Sequence, residues 1–294
     1  DSTAVNVTGW EPTNIRPTAQ QVLVGQCVTA RDIGEALNEL NLAYQEAGLT
    51  TTRGYLPEQD VDDGTLDIIV VPGRIEGFVY ADGRPADRRL EAAFPTDAGD
   101  LLNLRALEQG FDNIRAPQSA SGDLTLLPGT APGDSIVAVA VEDTRPWHLS
   151  FDFSTDGQQT TGEILGSVDF AYDNLLGLNE TIRFTAGTTP TSDRPLQFSD
   201  NASLSLSLPI GNWSHYFALN GNQYSLPVAG INQGYTVEGQ SRGFTWSSTY
   251  MLFRDQTRVF RAYGGLDISE SRSFIEGFEI ESQRRNIAVG NLGF

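Results

Sequence analysis

The sequence of 294 residues contains no lysine, so its 19 basic residues are all arginines, against 38 acidic residues. The net charge of −19 argues against a nucleic-acid partner, because binding to DNA or RNA begins with the neutralisation of phosphates. No run approaches the roughly 18 apolar residues that a membrane helix needs. Hydrophobic residues make up 39% of the chain. This low proportion still allows a membrane β-barrel, because alternating strands keep hydropathy low.

Residues that bind metals or carry out catalysis are scarce. Cys27 is the single cysteine, so no internal disulfide can form, and its apolar neighbours indicate a small buried residue. His148 and His215 have no thiol or acidic cluster at ligand spacing, whereas a metal site needs three or four ligands. The sequence also lacks HExxH and a lysine-containing phosphate loop. We therefore expect no enzyme activity, no metal, no cofactor and no nucleotide.

The first part of the chain predicts a small α/β module. Thr29, with Asp32 three residues later, is a variant of the capping box, and Gly48 is a typical helix stop. Between them apolar residues recur every three or four positions, at Ile33, Leu37, Leu40 and Tyr44. This pattern predicts a helix over 30–47. The other expected elements are a strand near 4–7, a short helix near 19–24, a short strand before Pro57, a turn at Asp63-Gly64 and an apolar strand ending near Val71.

The same order of elements then repeats. The predictions are a strand at 74–80, a helix at 86–94, a helix over 104–114 capped by Asn103, and paired strands at 123–127 and 135–141. Two copies of one β-α-α-β-β unit indicate an internal repeat rather than one continuous domain. Arg84, Arg88 and Arg89 form a local basic cluster, which we interpret as a solvated helix face rather than as a contact with lipid headgroups.

After Pro146 the sequence alternates with a period of two. Apolar and polar residues alternate in this way over 147–154, 163–172, 203–210 and 260–268. This predicts long strands with one apolar and one polar face. Long loops are expected at 155–162, 187–200, 224–242 and 269–281, and tight turns at 173–179, 209–212 and 254–257. Long and short connections at opposite ends are typical of an outer-membrane barrel, although a β-sandwich also shows the alternation.

About eight strands are expected by Phe294, the last beginning near Arg284. An exposed final edge is unfavourable, so we expect the sequence to stop partway through a larger barrel. The predicted domains are a first α+β module at 1–73, a second at 74–145, and the N-terminal half of an antiparallel transmembrane β-barrel at 146–294.

Five segments together resemble one known family. They are RGYLPEQ at 53–59, GTLDIIVVPGRIEG at 64–77, NLRALEQGFDNI at 103–114, LLPGTAPGDSIVAV at 126–139 and TGEILGSVDFAYDNLLGLNETI at 161–182. The first two are similar to the end of the first POTRA domain of two-partner secretion transporters, the hemolysin secretion/activation proteins. The next two are similar to the second POTRA domain, and the last resembles the first barrel hairpin.

The resemblance implies a transporter in the outer membrane of a Gram-negative bacterium, with its POTRA domains in the periplasm. It implies two partners, a large secreted β-helical passenger protein and the outer-membrane lipid, and a barrel of about sixteen strands. Two features of the family are not found. Its lumenal gating motif belongs later in the barrel, so we do not assign that role to Arg242-Gly243-Phe244, which Ser241 precedes. The plug helix expected ahead of the first POTRA domain is also missing.

Two other interpretations share parts of this pattern. One is a barrel-assembly insertase of the same superfamily, whose members usually carry more POTRA domains and lack the RGYLPEQ motif. The other is a soluble two-module binding protein with a β-sandwich.

The sequence pattern gives a candidate segment for passenger binding, a strand that Pro128 and Gly129 end and in which Leu124 and Leu126 alternate with Thr125 and Leu127. An unfolded passenger strand is expected to add to an exposed sheet edge. Our candidate passenger-binding residues are Asp123, Leu124, Thr125, Leu126 and Leu127. The alternative is that this strand only packs on the helices of its module.

The RGYLPEQ motif contributes a second set of candidate residues. They are Arg53, Gly54, Tyr55, Pro57 and Gln59. These residues either contact the passenger or hold the loop in place, and at a turn we favour the structural role.

Overall fold

The structure is a computed structural model that describes residues 29–60, 65–190, 194, 196–231, 233–255 and 257–294, together with the backbone of 4–9. The chain divides into two compact units, Asp1–Asp112 with Gly122–Val141, and Asn113–Ser121 with Glu142–Phe294. The predicted helix near 19–24, the burial of Cys27 and the turn at Asp63-Gly64 lie outside the described residues.

The first module is a three-stranded sheet covered by a helix. Its described elements are β1 (Ala4–Gly9), α1 (Ala30–Glu46), β2 (Arg53–Tyr55) and β3 (Thr65–Val71). Strand β3 is central, with β1 parallel on one side and β2 antiparallel on the other. One buried cluster joins the helix to β3 and contains Ala36, Leu40, Tyr44, Leu49, Leu66, Ile68 and Val70.

Helix α1 begins and ends where the sequence predicts. The Asp32 N–H donates to Thr29 Oγ1, and the Thr29 N–H donates to Asp32 Oδ2 at 2.8 Å, which completes the capping box. At the other end Gly48 adopts φ +86°, and the Leu49 N–H donates to the Tyr44 carbonyl at 2.9 Å. A glycine in this left-handed conformation is a common way to end a helix.

The second module repeats the arrangement of the first. Its elements are β4 (Arg74–Tyr80), α2 (Arg88–Ala93), α3 (Leu104–Ile114), β5 (Ala120–Pro128) and β6 (Asp134–Asp143). The strand order is β4-β6-β5, and β4 is parallel to the central β6. The third strand of each unit is therefore central, and the predicted repeat is confirmed.

The two modules are joined by only two residues, Pro72 and Gly73. The Gly73 N–H donates to Thr52 Oγ1 at 3.0 Å, and the Leu102 N–H donates to the Gly73 carbonyl at 2.9 Å. A Cβ on Gly73 would stand 1.9 Å from Thr51 Oγ1. Glycine is therefore required at this joint by the close approach of the neighbouring chain.

The rest of the chain forms one antiparallel sheet. Its strands are β7 (Trp147–Ser154), β8 (Leu165–Asp173), β9 (Thr181–Thr188), β10 (Phe198–Ile210), β11 (Trp213–Ala229), β12 (Gly234–Arg254), β13 (Val259–Ile275), β14 (Phe278–Glu279) and β15 (Arg285–Gly293). Strands β7 to β14 are neighbours in chain order, and β15 pairs with β13. Among the described residues this gives nine strands where about eight were predicted, and the addition is the two-residue β14.

The register of the sheet separates an apolar face from a polar face. Successive partners across seven strands are Leu149, Phe170, Phe184, Leu204, Leu219, Phe244 and Ile268. One position further along β7, the row on the opposite face is Ser150, Asp169, Thr185, Ser203 and Asn220. The apolar face is open, and Phe151, for example, is 67% exposed. No helix in the described part of the chain is long and apolar enough to cross a membrane.

Two of the predicted loops are wrong. Residues 224–242 were expected to be a long loop, but β11 and β12 leave only 230–233 between them, and β13 continues through most of the predicted loop at 269–281. The polar side chains there continue the ladder, as in the pair Gln223 and Gln240. Antiparallel pairing is made by the backbone, so it continues where the apolar alternation stops. The expected contrast between long and short connections is correspondingly weaker.

The packing of α3 against the second module gives a stability prediction. A Cβ on Gly110 would lie 2.1 Å from Phe94 Cδ1. Gly110→Ala should therefore force Phe94 aside and lower the free energy of unfolding by about 1–3 kcal/mol. Gly34→Ala in α1 is the control, because a Cβ there meets nothing within 4 Å and alanine favours a helix by about 0.8–1 kcal/mol. Urea unfolding followed by the helical circular-dichroism signal compares the two, and a stabilising Gly110→Ala would contradict the packing described.

Candidate functional site

Strand β5 lies at an edge of the sheet in the second module. Its one hydrogen-bonded neighbour among the described strands is β6. The five candidate passenger-binding residues, 123–127, lie within it. Leu124 and Leu126 are half-buried, whereas Asp123, Thr125 and Leu127 are exposed. Side chains point to the faces of a sheet and backbone groups to its edges, so packing of the leucines on the module leaves the outer edge of β5 available to another strand.

Both ends of this edge are defined by backbone features. Gly122 adopts φ 159°, and a Cβ there would stand 1.9 Å from the Ala140 carbonyl oxygen. At the other end Pro128 has no N–H to donate, and Glu76 Oε2 accepts the Thr130 N–H at 2.6 Å. The uninterrupted edge is therefore the segment 123–127.

In the first module, two side-chain amides bond to the backbone at and next to the short edge strand β2. Gln59 Nε2 donates to the Asp67 carbonyl at 2.8 Å, and the Asp67 N–H donates to Gln59 Oε1 at 2.7 Å. The Gly54 N–H donates to Asn41 Oδ1 at 2.8 Å. Each amide thus pairs with one residue's backbone as a neighbouring strand would. Gln59 does this beside β3, just beyond the end of the three-residue β2.

The other residues of the RGYLPEQ motif have different surroundings. A Cβ on Gly54 would lie 3.0 Å from Leu40 Cδ2 of α1, so the glycine allows the helix to approach. Arg53 Nη1 donates to the Thr52 carbonyl at 2.9 Å. Tyr55 is 53% exposed, and Pro57 is half-buried. Gly54 and Gln59 have local partners that account for their residue types, whereas the side chain of Tyr55 faces solvent.

The basic cluster of the second module agrees with the predicted solvated face at Arg84 and Arg88, which are exposed, but not at Arg89. Arg89 is buried, and Arg84 Nε lies 2.8 Å from Asp82 Oδ2 while its guanidinium stacks on Tyr80. Burial, followed by the hydrogen bond to Asp87, raises the pKa of Tyr80 to about 12. Arg84 and Arg89 are therefore engaged within the module, while Arg88 lies on its exposed surface.

A buried carboxylate in the second unit was not anticipated from the sequence. Asp173, at the end of β8, is 2% exposed. Its Oδ2 accepts the Ser119 N–H at 3.0 Å and lies 3.2 Å from His148 Nε2, and its Oδ1 accepts the Thr181 hydroxyl at 2.8 Å. Ser119 lies 54 positions earlier in the chain, so no local pattern could reveal the contact. Asp173 fixes the segment 113–121 to the first three strands of the sheet.

The histidines do not form a metal centre. His148 contacts Asp173, whereas His215 Nδ1 lies 2.7 Å from Ser248 Oγ. Across the described ranges, no group of three or more His, Cys, Asp or Glu side chains is placed to hold a metal ion.

The chain belongs to the family described as haemolysin secretion/activation protein ShlB/FhaC/HecB. The model of that family matches residues 133–294. A POTRA domain of the ShlB type matches residues 3–73, and a further POTRA domain matches 74–128. The resemblance drawn from the sequence is thereby confirmed, as is the predicted fold of two POTRA modules followed by a large antiparallel sheet.

Individual relatives agree with this assignment. The outer membrane transporter CdiB-2 of Burkholderia pseudomallei is 30% identical over 92% of this chain and 46% of its own length. The hemolysin transporter protein ShlB of Serratia marcescens is 26% identical over 91% of this chain and 47% of its own. The solved structure of CdiB from Escherichia coli superimposes with a TM-score of 0.91 at 22% identity, covering 99% of this chain and 55% of that one. The chain spans about half the length of the curated relatives it matches.

This membership also confirms the predicted location of the chain. It belongs to the outer membrane of a Gram-negative bacterium, and its POTRA modules lie in the periplasm.

The contacts of Gln59 give a prediction that separates a structural role from a passenger-binding role. Gln59→Leu leaves the Asp67 N–H and carbonyl without their partner, so it should lower the free energy of unfolding of the first module by about 1–3 kcal/mol. Glu58→Leu, at an exposed position of the same loop, is the control and should have little effect. Urea unfolding and passenger affinity are measured for both variants. A Gln59→Leu protein of unchanged stability that no longer binds passenger would contradict the structural role.

Proposed function

We propose that the protein exports a secreted partner protein across the outer membrane, as in type V two-partner secretion. The observation that carries this proposal is the family membership, which extends over both POTRA modules and the sheet. The proposed domains are POTRA 1 at 1–73, POTRA 2 at 74–145 and part of a transmembrane barrel at 146–294. The passenger is a large β-helical protein that arrives unfolded in the periplasm.

Passenger recognition is assigned to the free edge of β5. An extended passenger segment adds to residues 123–127 as a further strand and gains backbone hydrogen bonds. This assignment is supported by the edge position of β5 and by the contrast with the first module, where Asn41 accepts the Gly54 N–H of the edge strand β2. Because backbone hydrogen bonds do not depend on which side chains the passenger carries, the same edge can accept successive segments of one passenger.

The sheet supports the export step through its two faces. The exposed apolar face fits the hydrocarbon of the outer membrane, and the opposite face presents serine, threonine and asparagine toward a lumen. A polar wall offers hydrogen bonds to an extended chain without an apolar surface to which it would adhere. The passenger's folding outside the cell supplies the free energy, so the mechanism uses no nucleotide, metal, cofactor or catalytic residue.

The proposal is tested by comparing the outer-membrane and secreted proteomes with and without the intact gene. Loss of one large secreted or surface protein alone supports dedicated two-partner export. A broad fall in outer-membrane barrel proteins would point to an insertase instead. No change in either fraction would overturn both functions.

The role of β5 gives a prediction that proline substitution can test. Along an edge strand, successive N–H groups point alternately to the neighbouring strand and away from the sheet. Leu124→Pro and Thr125→Pro therefore remove one inward and one outward donor. The variant that loses the outward donor should keep the melting temperature of the module but bind a passenger fragment about tenfold more weakly, the loss expected for one hydrogen bond.

Thr125→Val is the matched control for this experiment, because valine has a similar volume and keeps the N–H. It should bind passenger as the unaltered protein does. Binding is measured by fluorescence anisotropy of the labelled fragment. If both proline variants fold and both bind normally, the passenger does not use this edge.

A further inference from the structure

An arginine in the middle of the longest strand of the sheet has no role in the proposed export. Arg242 of β12 lies directly opposite Gly221 on one side and Glu270 on the other. Along β12 it is two positions from Phe244, so both side chains are on the same face. Arg242 is therefore in the first row beyond the apolar row that contains Phe244.

The acidic groups around Arg242 are already bound to other arginines. Arg272 Nε donates to Glu270 Oε1 at 2.7 Å, and Arg194 Nη2 lies 2.6 Å from Asp200 Oδ2. Arg242 itself is exposed, and within the described part of the chain it has no hydrogen-bond or ion-pair partner. A guanidinium carries five donors, so this one is available to an anionic ligand.

The surface beside Arg242 has room for such a ligand. Two open depressions, of about 250 and about 500 Å³, lie next to it, and Arg242 lines both. The first is also lined by Ala202 and Gly221, which have the smallest side chains of that row. The second is also lined by Phe244 and Ile268 of the apolar row. The guanidinium thus stands between a small polar depression and a larger one that is partly apolar.

The position along the strand corresponds to a membrane boundary. From Phe253 to Phe244, the apolar part of β12 rises about 30 Å along the strand. At the usual tilt of about 40° this is about 23 Å across the membrane, close to the apolar band of about 25 Å in such barrels. Only residues 144–146 connect β6 of POTRA 2 to β7, so the Trp147 end of the sheet is periplasmic. Arg242 therefore lies just beyond the outer edge of the band.

We infer that Arg242 binds a phosphate group on the headgroup of an outer-leaflet glycolipid. The planar guanidinium pairs with phosphate through two parallel hydrogen bonds, while the lipid's acyl chains lie along the apolar face below. A free phosphate ion lacks the second contact, and a protein partner would have to displace lipid from this face. This inference rests on the membrane assignment of the sheet and adds a lipid site that passenger export does not require.

The test measures binding of lipid A to the full-length protein in detergent by native mass spectrometry. The probes are lipid A with both phosphates and the same lipid with its phosphates removed. Arg242→Gln should weaken binding of the phosphorylated lipid about tenfold, the loss expected for a charged hydrogen bond, and should not change binding of the dephosphorylated lipid. Arg242→Lys should restore most of the affinity, because it keeps the charge.

Two further variants give matched controls. Arg258→Gln removes an exposed arginine at the opposite, periplasmic end of the same strand pair and should leave lipid affinity unchanged. Glu270→Gln removes the acid opposite Arg242 and should strengthen binding several-fold. Heat-modifiable migration on gels confirms that each variant is folded. If Arg242→Gln does not fold, the other two variants still test the site: Arg242→Lys should keep most of the affinity for phosphorylated lipid, and Glu270→Gln should increase it.

The inference is overturned if Arg242→Gln binds phosphorylated lipid as the unaltered protein does, or if it loses dephosphorylated lipid equally. Displacement of the lipid by inorganic phosphate at comparable concentration would also overturn it, since the site would then recognise the free ion. These outcomes do not depend on the export proposal. That proposal fails if removal of the gene leaves the secreted proteome unchanged.

Discussion

The register between neighbouring strands is the constraint on which most of this structure depends. Because side chains alternate along a strand, a slip of one residue would exchange the apolar face of the sheet for its polar face. The tight turns hold the register. Gly211 adopts φ 53° in the two-residue connection before β11, and Asn174 and Asn179 adopt φ 54° and 58° between β8 and β9. There the fully buried carboxylate of Glu180 accepts the Leu178 N–H at 3.0 Å. Residues that tolerate positive φ thus determine which side chains lie on the apolar face many residues away.

The two POTRA modules differ in how the backbone groups at their sheet edges are paired. Backbone donors and acceptors at a sheet edge need partners, and in the first module Asn41 supplies one for Gly54 of the edge strand β2. The second module leaves β5 without such a substitute among the described residues. The two copies of one fold thus differ in how the backbone of their edge strands is bonded, and the proposed passenger site rests on that difference. The large sheet has a comparable feature at Arg242, where the acids nearby are already bound to other arginines, and this is the basis of the proposed lipid site.

Much of the fold was predictable because its signals are local. The capping box at Thr29, the stop at Gly48 and the period of two after Pro146 each depend on a few adjacent residues, and each prediction was confirmed. The length of β11 and β12 was not predictable, because polar residues pair through their backbones once the apolar alternation has ended. The candidate edge was located by its pattern, but its place in the sheet depends on β6 and β4, which sequence cannot order. Asp173 illustrates the same limit, because its partner Ser119 lies far away in the chain.

The short edge of β5 limits the free energy with which it could hold the proposed passenger segment. Of its five residues, two or three point their backbone groups outward, which gives about five hydrogen bonds. At a net value of about 0.5–1.5 kcal/mol each, these supply roughly 2–7 kcal/mol. Ordering five passenger residues costs roughly 5–10 kcal/mol, so over most of these ranges the backbone bonds do not offset the cost of ordering. Passenger side chains must contribute the difference, for example against the exposed Leu127. Binding of this strength would be easily reversed, which the proposed export requires, because a site that retained its first segment would stop the chain from moving outward.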